Sequence, residues 1–205
     1  MNQGKIRESI PLIWTLLQQQ PDNTDNYYNL GVAYSEVGEY PKAIAMLEEL
    51  LRRDPKHVHG LIALGVALTR TEKLVFGEGS LRKALLFEPN NPWALRNLGG
   101  CLLKQERFAE AIDILWKAID ASPKDLQPMI GLGQALEQVG KSDDADEIYE
   151  RAIKQGGPQS MLDLAMERRT AIAQNIMRQR GGGFRPDVMM YISGALEKFS
   201  NMSAS

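Results

Sequence analysis

Between Asn26 and Pro55 the chain reads NYYNLGVAYSEVGEYPKAIAMLEELLRRDP. Its key residues return at a fixed interval. Leu30-Gly31 is followed by Leu64-Gly65, Leu98-Gly99 and Leu132-Gly133, each pair 34 residues after the last. Three residues before each leucine stands a large side chain: Tyr27, Leu61, Leu95 and Met129. Three residues after each glycine stands another: Tyr34, Leu68, Leu102 and Leu136. Twelve residues past each glycine lies a small residue, Ala43, Gly77, Ala111 or Ala145, and four further on comes Leu47, Leu81, Leu115 or Tyr149. The units close on Pro55, Pro89 and Pro123, with Gly157-Pro158 in the fourth.

Each unit reads as two amphipathic helices joined by a short turn. In the first helix Tyr27, Leu30, Gly31 and Tyr34 share one stripe at three- and four-residue spacing, and in the second Ala43, Leu47 and Leu50 do the same. The glycine lets the two helices approach closely, and a bulkier residue there costs about 1–3 kcal/mol of overpacking. The prolines suit helix ends, since they cannot continue the preceding hydrogen-bond ladder. One pair cannot cover its own apolar face, so successive pairs must stack.

This pattern resembles the tetratricopeptide repeat, and four units hold one register without insertion from Thr24 to Gln159. The resemblance implies an all-α fold, a right-handed superhelical solenoid of antiparallel helix pairs with a concave inner surface. The expected units span 24–57, 58–91, 92–125 and 126–159. GKIRESIPLIWTLLQQQPDN, Gly4 to Asn23, aligns with the second helix of a unit, so 1–23 reads as a half-repeat. Gly4 then falls at the turn, beside Gly38 and Gly140, and Ile10, Ile13, Trp14 and Leu17 become its packing residues. The half-repeat either caps the next helix or, through Trp14, meets a partner or a second copy of the chain.

The second unit departs most from the pattern. Gly77 and Gly79 occupy helix positions, each costing roughly 1 kcal/mol relative to alanine, and Leu74-Val75-Phe76 is apolar where other units are polar. An irregular turn with Phe76 tucked into a neighbouring unit is expected; a hinge or an exposed sticky patch is the alternative. Beyond the repeats, 160–180 reads as a capping helix and 181–185 as a glycine-rich linker. In 186–205, Val188, Tyr191, Ile192, Ala195, Leu196 and Phe199 follow helical spacing. This last segment either docks as a terminal hairpin, fills the groove, or binds a partner or a second copy, with Tyr191 and Phe199 as its self-association residues.

The 205-residue chain is 43% hydrophobic and 24% charged, with net charge −2. That argues against a global field for nucleic acid or anionic membrane. Seven basic residues between Arg151 and Arg185 face only Asp163 and Glu167 in the later helices, and a solvated helix face is the plainer reading. One cysteine, no secretory signal and no apolar run of membrane length point to the cytoplasm. No constellation for catalysis is evident, so the chain reads as non-enzymatic, with no cofactor and no small-molecule substrate. Cys101 shares its register with Ala33, Ala67 and Ala135, as a small buried hydrophobe does. His57 and His59 make a weak metal site without further ligands, so no metal is expected. GLGQAL at Gly131 lacks a preceding strand, and the repeat register already accounts for Gly133.

Resemblance to the tetratricopeptide family implies a scaffold that binds a peptide or protein along the first helices. Projecting that face selects Tyr28 and Val32, then His59, Ile62 and Val66, then Trp93, Arg96 and Asn97, then Ile130 and Gln134. Tyr28, Ile62, Trp93, Arg96 and Ile130 are its expected anchors, Tyr, Trp and Arg being the commonest hot-spot types. The clamp by which some family members hold acidic chaperone tails falls here on Tyr28, Val32, Ala63, Trp93 and Asn97. Only Asn97 matches it, which favours a segment with apolar side chains. Two other classes stay open: a self-associating assembly unit using the half-repeat or the C-terminal helix, and a regulatory or recognition subunit of an enzyme complex.

Overall fold

The computed structural model describes residues 3–179, which form ten helices and no strand. The chain divides into two compact units, Met1–Ser122 and Pro123–Ser205. The first holds α1 (Gln3–Gln19), α2 (Thr24–Glu36), α3 (Tyr40–Arg53), α4 (Val58–Arg70), α5 (Leu74–Phe87), α6 (Pro92–Lys104) and α7 (Phe108–Ala121). The second holds α8 (Leu126–Gln138), α9 (Ser142–Gln155) and α10 (Gln159–Gln179). Within each unit consecutive helices pack as antiparallel pairs, α2 on α3, α4 on α5, α6 on α7 and α8 on α9, and α10 covers α9 and α8. The segment after Gln179, with Tyr191 and Phe199, lies outside the described residues.

The crossings behave as the period requires. A Cβ added at Gly31 would meet Leu47 Cγ at 2.5 Å, at Gly65 Leu81 Cγ at 2.6 Å, at Gly99 Leu115 Cδ2 at 2.4 Å and at Gly133 the Tyr149 ring at 2.4 Å. Each of those partners is buried to within 2% of full coverage. A bare backbone on the first helix thus receives a large side chain from the second.

The turns between paired helices repeat one motif. The amide after the turn reaches back five residues, from Glu39 to the Tyr34 carbonyl at 2.8 Å, Lys73 to Leu68 at 2.9 Å, Arg107 to Leu102 at 3.0 Å and Lys141 to Leu136 at 2.9 Å. This closure needs a left-handed residue. Gly38 (φ 79°) and Gly140 (φ 78°) supply it in two turns, but Glu72 (φ 59°) and Glu106 (φ 58°) supply it in the others.

Two local expectations are corrected. Gly4 lies inside α1 rather than at a turn, and Pro11 also sits within that helix. Pro11 removes only one amide from the ladder, on an exposed face. In the second unit α5 runs without a break from Leu74 through Gly77 and Gly79. Gly77 is needed there, since a Cβ would meet Thr69 Oγ1 at 2.7 Å and the Gly65 carbonyl oxygen at 3.0 Å. The close approach of α4 and α5 outweighs the poor helix propensity of glycine. Phe76 does not tuck in; it is 70% exposed.

Leu17 of α1 is buried with Tyr27, Leu30 and Tyr34, and Ile10 and Ile13 pack against the same cluster. The Trp14 indole N–H donates to the Tyr34 hydroxyl at 2.8 Å, which ties the half-repeat to α2.

Candidate functional site

The first helices α2, α4 and α6 lie side by side in the first unit, α4 touching both neighbours. Their capping residues recur at the 34-residue interval. The Asn23 side chain accepts from the Asp25 amide at 3.0 Å, His57 Nδ1 from Gly60 at 2.9 Å and Asn91 from Ala94 at 3.0 Å; in α8 Asp125 accepts from Gln127 at 3.0 Å. His57 is therefore an N-cap in a place where the other units use Asn or Asp. Because Nδ1 accepts, its ring proton belongs on Nε2. We expect His57→Asn to leave stability unchanged and His57→Ala to lose about 1 kcal/mol, read from urea midpoints.

Side chains spaced by 34 residues form rows across this face. The first row is Asp25, His59 and Trp93, all exposed. Trp93 is 53% exposed in the first turn of α6, and its ring meets His59 edge-on at 6.3 Å. Behind it, half-buried Tyr28 lies 5.3 Å from the His57 ring. Thus Tyr28, His57, His59 and Trp93 form two aromatic pairs along the N-terminal ends of α2, α4 and α6. His57 was not among the expected site residues, because nothing in a bare HVH announces a cap.

The second row is Tyr28, Ile62 and Arg96. Ile62, one of the expected anchors, is only 7% exposed. The centre of α4 is covered from both sides by α2 and α6, so this side chain serves packing. Val32, Val66 and Gly100 share one row and are all half-buried, and a Cβ added at Gly100 would meet nothing within 4 Å. Asn97 spends one amide hydrogen on the Trp93 carbonyl of its own helix at 2.7 Å. In the second unit Ile130 is 5% exposed on α8, which is flanked by α9 and α10, and Gln134 is half-buried.

Charges elsewhere are largely spent on structure. Burial pushes Glu78 up, but hydrogen bonds from Gln105, Arg82 and Arg107 prevail and hold it below the usual carboxylate value. Two of the basic side chains of α10 pair within the unit, Arg169 with Asp146 at 2.8 Å and Arg168 with Glu137 at 3.8 Å, while Arg178 is exposed. Cys101 is buried and donates to the Leu74 carbonyl at 3.4 Å. Among the described residues no cluster of three or more His, Cys, Asp or Glu stands ready for a metal, and no helix is long and apolar enough to cross a membrane.

This arrangement of glycine-crossed helix pairs defines a helical-repeat protein. Residues 1–65 and 102–166 match one tetratricopeptide repeat profile and residues 77–125 match another, and the chain belongs to that family. No curated protein matches the sequence. Among solved structures, the fold is similar to that of MamA, at 22% identity over 74% of this chain and 89% of that one, with a TM-score of 0.68. It is similar to MamA 41-end from Desulfovibrio magneticus RS-1, at 18% identity over 74% and 86%, with a TM-score of 0.69. It is also similar to YrrB, described as a TPR protein with an unusual peptide-binding site, at 20% identity over 80% and 83%, with a TM-score of 0.65.

Proposed function

We propose that this chain is a non-enzymatic interaction scaffold that holds a peptide or protein segment across α2, α4 and α6. The observation that carries this reading is the exposed Trp93–His59 pair, continued by Tyr28, on a face the helix crossings do not use. Large, rigid rings with a polar edge gain contact area at low entropic cost. Val32, Val66 and the bare backbone of Gly100 offer a shallow apolar floor beside them. A segment with an apolar or aromatic side chain every few residues suits that surface. The likeness to YrrB agrees with this, but at 20% identity it speaks for the fold alone.

Selecting binders from a random peptide library on the full chain tests the reading. The combined variant Tyr28→Ala, Trp93→Ala, Arg96→Ala is expected to weaken the selected peptides by about 2 kcal/mol or more, roughly 30-fold. Its far-ultraviolet circular dichroism should match the parent. Peptides that bind the variant equally well would move the site elsewhere.

A further inference from the structure

We propose that the outward face of α5 is a self-association surface, on which a second copy of this chain packs its own α5 antiparallel about a two-fold axis. The repeat itself supplies the comparison. At the positions where α5 carries Val75, Phe76, Leu86 and Phe87, α3 carries Pro41, Lys42, Arg52 and Arg53, and α7 carries Ala109, Glu110, Asp120 and Ala121. The α5 side chains are 74%, 70%, 79% and 40% exposed. α5 packs on α4 and α6 through its opposite side, where Gly77, Leu81 and Ala84 are buried, so Val75, Phe76 and Leu86 are left largely uncovered and Phe87 partly so. They are not needed to form the helix either, since α3 and α7 form without them.

Gly79 is the second observation. It stands in the middle of the stripe, at four-residue spacing from Val75 and from Lys83. A Cβ added there meets nothing within 4 Å. Unlike Gly65 and Gly77, it is explained by no crossing among the described residues, and glycine inside a helix weakens it. A bare backbone at the centre of an exposed apolar stripe is what lets another helix approach closely. That favours a helix over a lipid surface as the occupant.

The stripe is complementary to itself. A two-fold axis at the level of Leu81 sets Val75 against Phe87 of the second copy and Phe76 against its Leu86. The same axis sets Gly79 against Lys83 of the second copy. Every exposed apolar side chain then meets an apolar one, as an isologous contact requires. The long stem of Lys83 lies over the glycine notch with its ammonium in water. The Arg82 guanidinium is already turned aside to Glu78 at 2.7 Å and Glu110 at 3.4 Å. The two Lys83 positions then stand about 10–12 Å apart measured between the helix axes, given 1.5 Å rise per residue and 8–10 Å between axes. That is about a Debye length at 0.1 M salt. Four side chains of this size offer an area on the order of a few hundred Å², against roughly 800 Å² per partner in a standard interface. The dimer is therefore weak and concentration dependent.

Sedimentation equilibrium of the full chain from about 1 to about 500 µM tests this directly. The expected result is a reversible monomer–dimer equilibrium. Phe76→Glu with Leu86→Glu should weaken it at least about tenfold without changing the melting temperature. Gly79→Gln should also weaken it while leaving the melting temperature equal or higher, because the added side chain meets open space. In a Cys101→Ala background, a mixture of Val75→Cys and Phe87→Cys chains should cross-link, and neither alone should. A chain that stays monomeric to about 500 µM overturns the proposal, as does a dimer that the glutamate pair leaves intact. Monomers that co-sediment with anionic phosphatidylserine vesicles overturn it too, assigning the stripe to a lipid surface. Binding of library-selected peptides to the first-helix face is measured in the same variants, so failure here is distinct from failure of the scaffold reading.

Discussion

A Tyr149→Ala variant unfolds at markedly lower urea, with a loss of about 3–5 kcal/mol. Tyr149 is fully buried, and its ring lies directly over the backbone of Gly133 in the α8–α9 crossing. The same place is held by Leu47, Leu81 and Leu115 in the other pairs, so truncation empties the one large side chain that fills the crossing. The hydroxyl adds a second contribution. It donates to Glu137 at 2.6 Å, and burial together with that bond pushes the phenol well above its ordinary value. Tyr149 therefore keeps its proton, and donates it, at neutral pH. Tyr149→Phe keeps the ring and removes the bond, and should cost about 1.5–3 kcal/mol, the range for a hydrogen bond to a charged group. Tyr149→Leu should fall between the two. If phenylalanine proves as damaging as alanine, the ring is not what fills the crossing.

Gly99→Leu is the second large loss, expected at about 3 kcal/mol. Its first side-chain atom would lie 2.4 Å from Leu115, and both residues are buried in the α6–α7 crossing. Neither helix can rotate away without exposing Leu98 or Ala118, which are also fully buried. Leu115→Ala alone leaves a cavity and costs about 2–5 kcal/mol. The two changes together should cost clearly less than their sum, because the new leucine occupies the space the old one vacated. A double-mutant cycle in urea measures that coupling. Strict additivity would mean that the glycine and the leucine do not share one space.

Much of this was legible in the sequence because it is written in a period. The glycine crossings, the small residue at Ala43, Ala111 and Ala145 and the large one after it recur at fixed spacing, and each depends only on its pair. What escaped was decided by neighbours outside the pair. Gly77 and Gly79 read as helix breakers, but only Gly77 answers to a contact, with the backbone of α4. Helical projection sets Ile62 on the free face, yet α2 and α6 close over the middle of α4. Glu72 and Glu106 hold the left-handed turn position without the glycine that would have announced it. His57 caps α4 through a ring nitrogen where Asn23, Asn91 and Asp125 use side-chain oxygens. The aromatic pairs are visible only in part, since Tyr28, His59 and Trp93 follow from projection while the ring contact to His57 does not.

On the proposed scaffold reading, pairing consumes one side of α2, α4 and α6 and leaves the other for a guest. Hydrogen–deuterium exchange of the full chain, with and without a library-selected peptide, tests it most directly. Slowed exchange in α2, α4 and α6, with α3, α5 and α7 unchanged, is the predicted result. Protection confined to α3, α5 or α7 would contradict it.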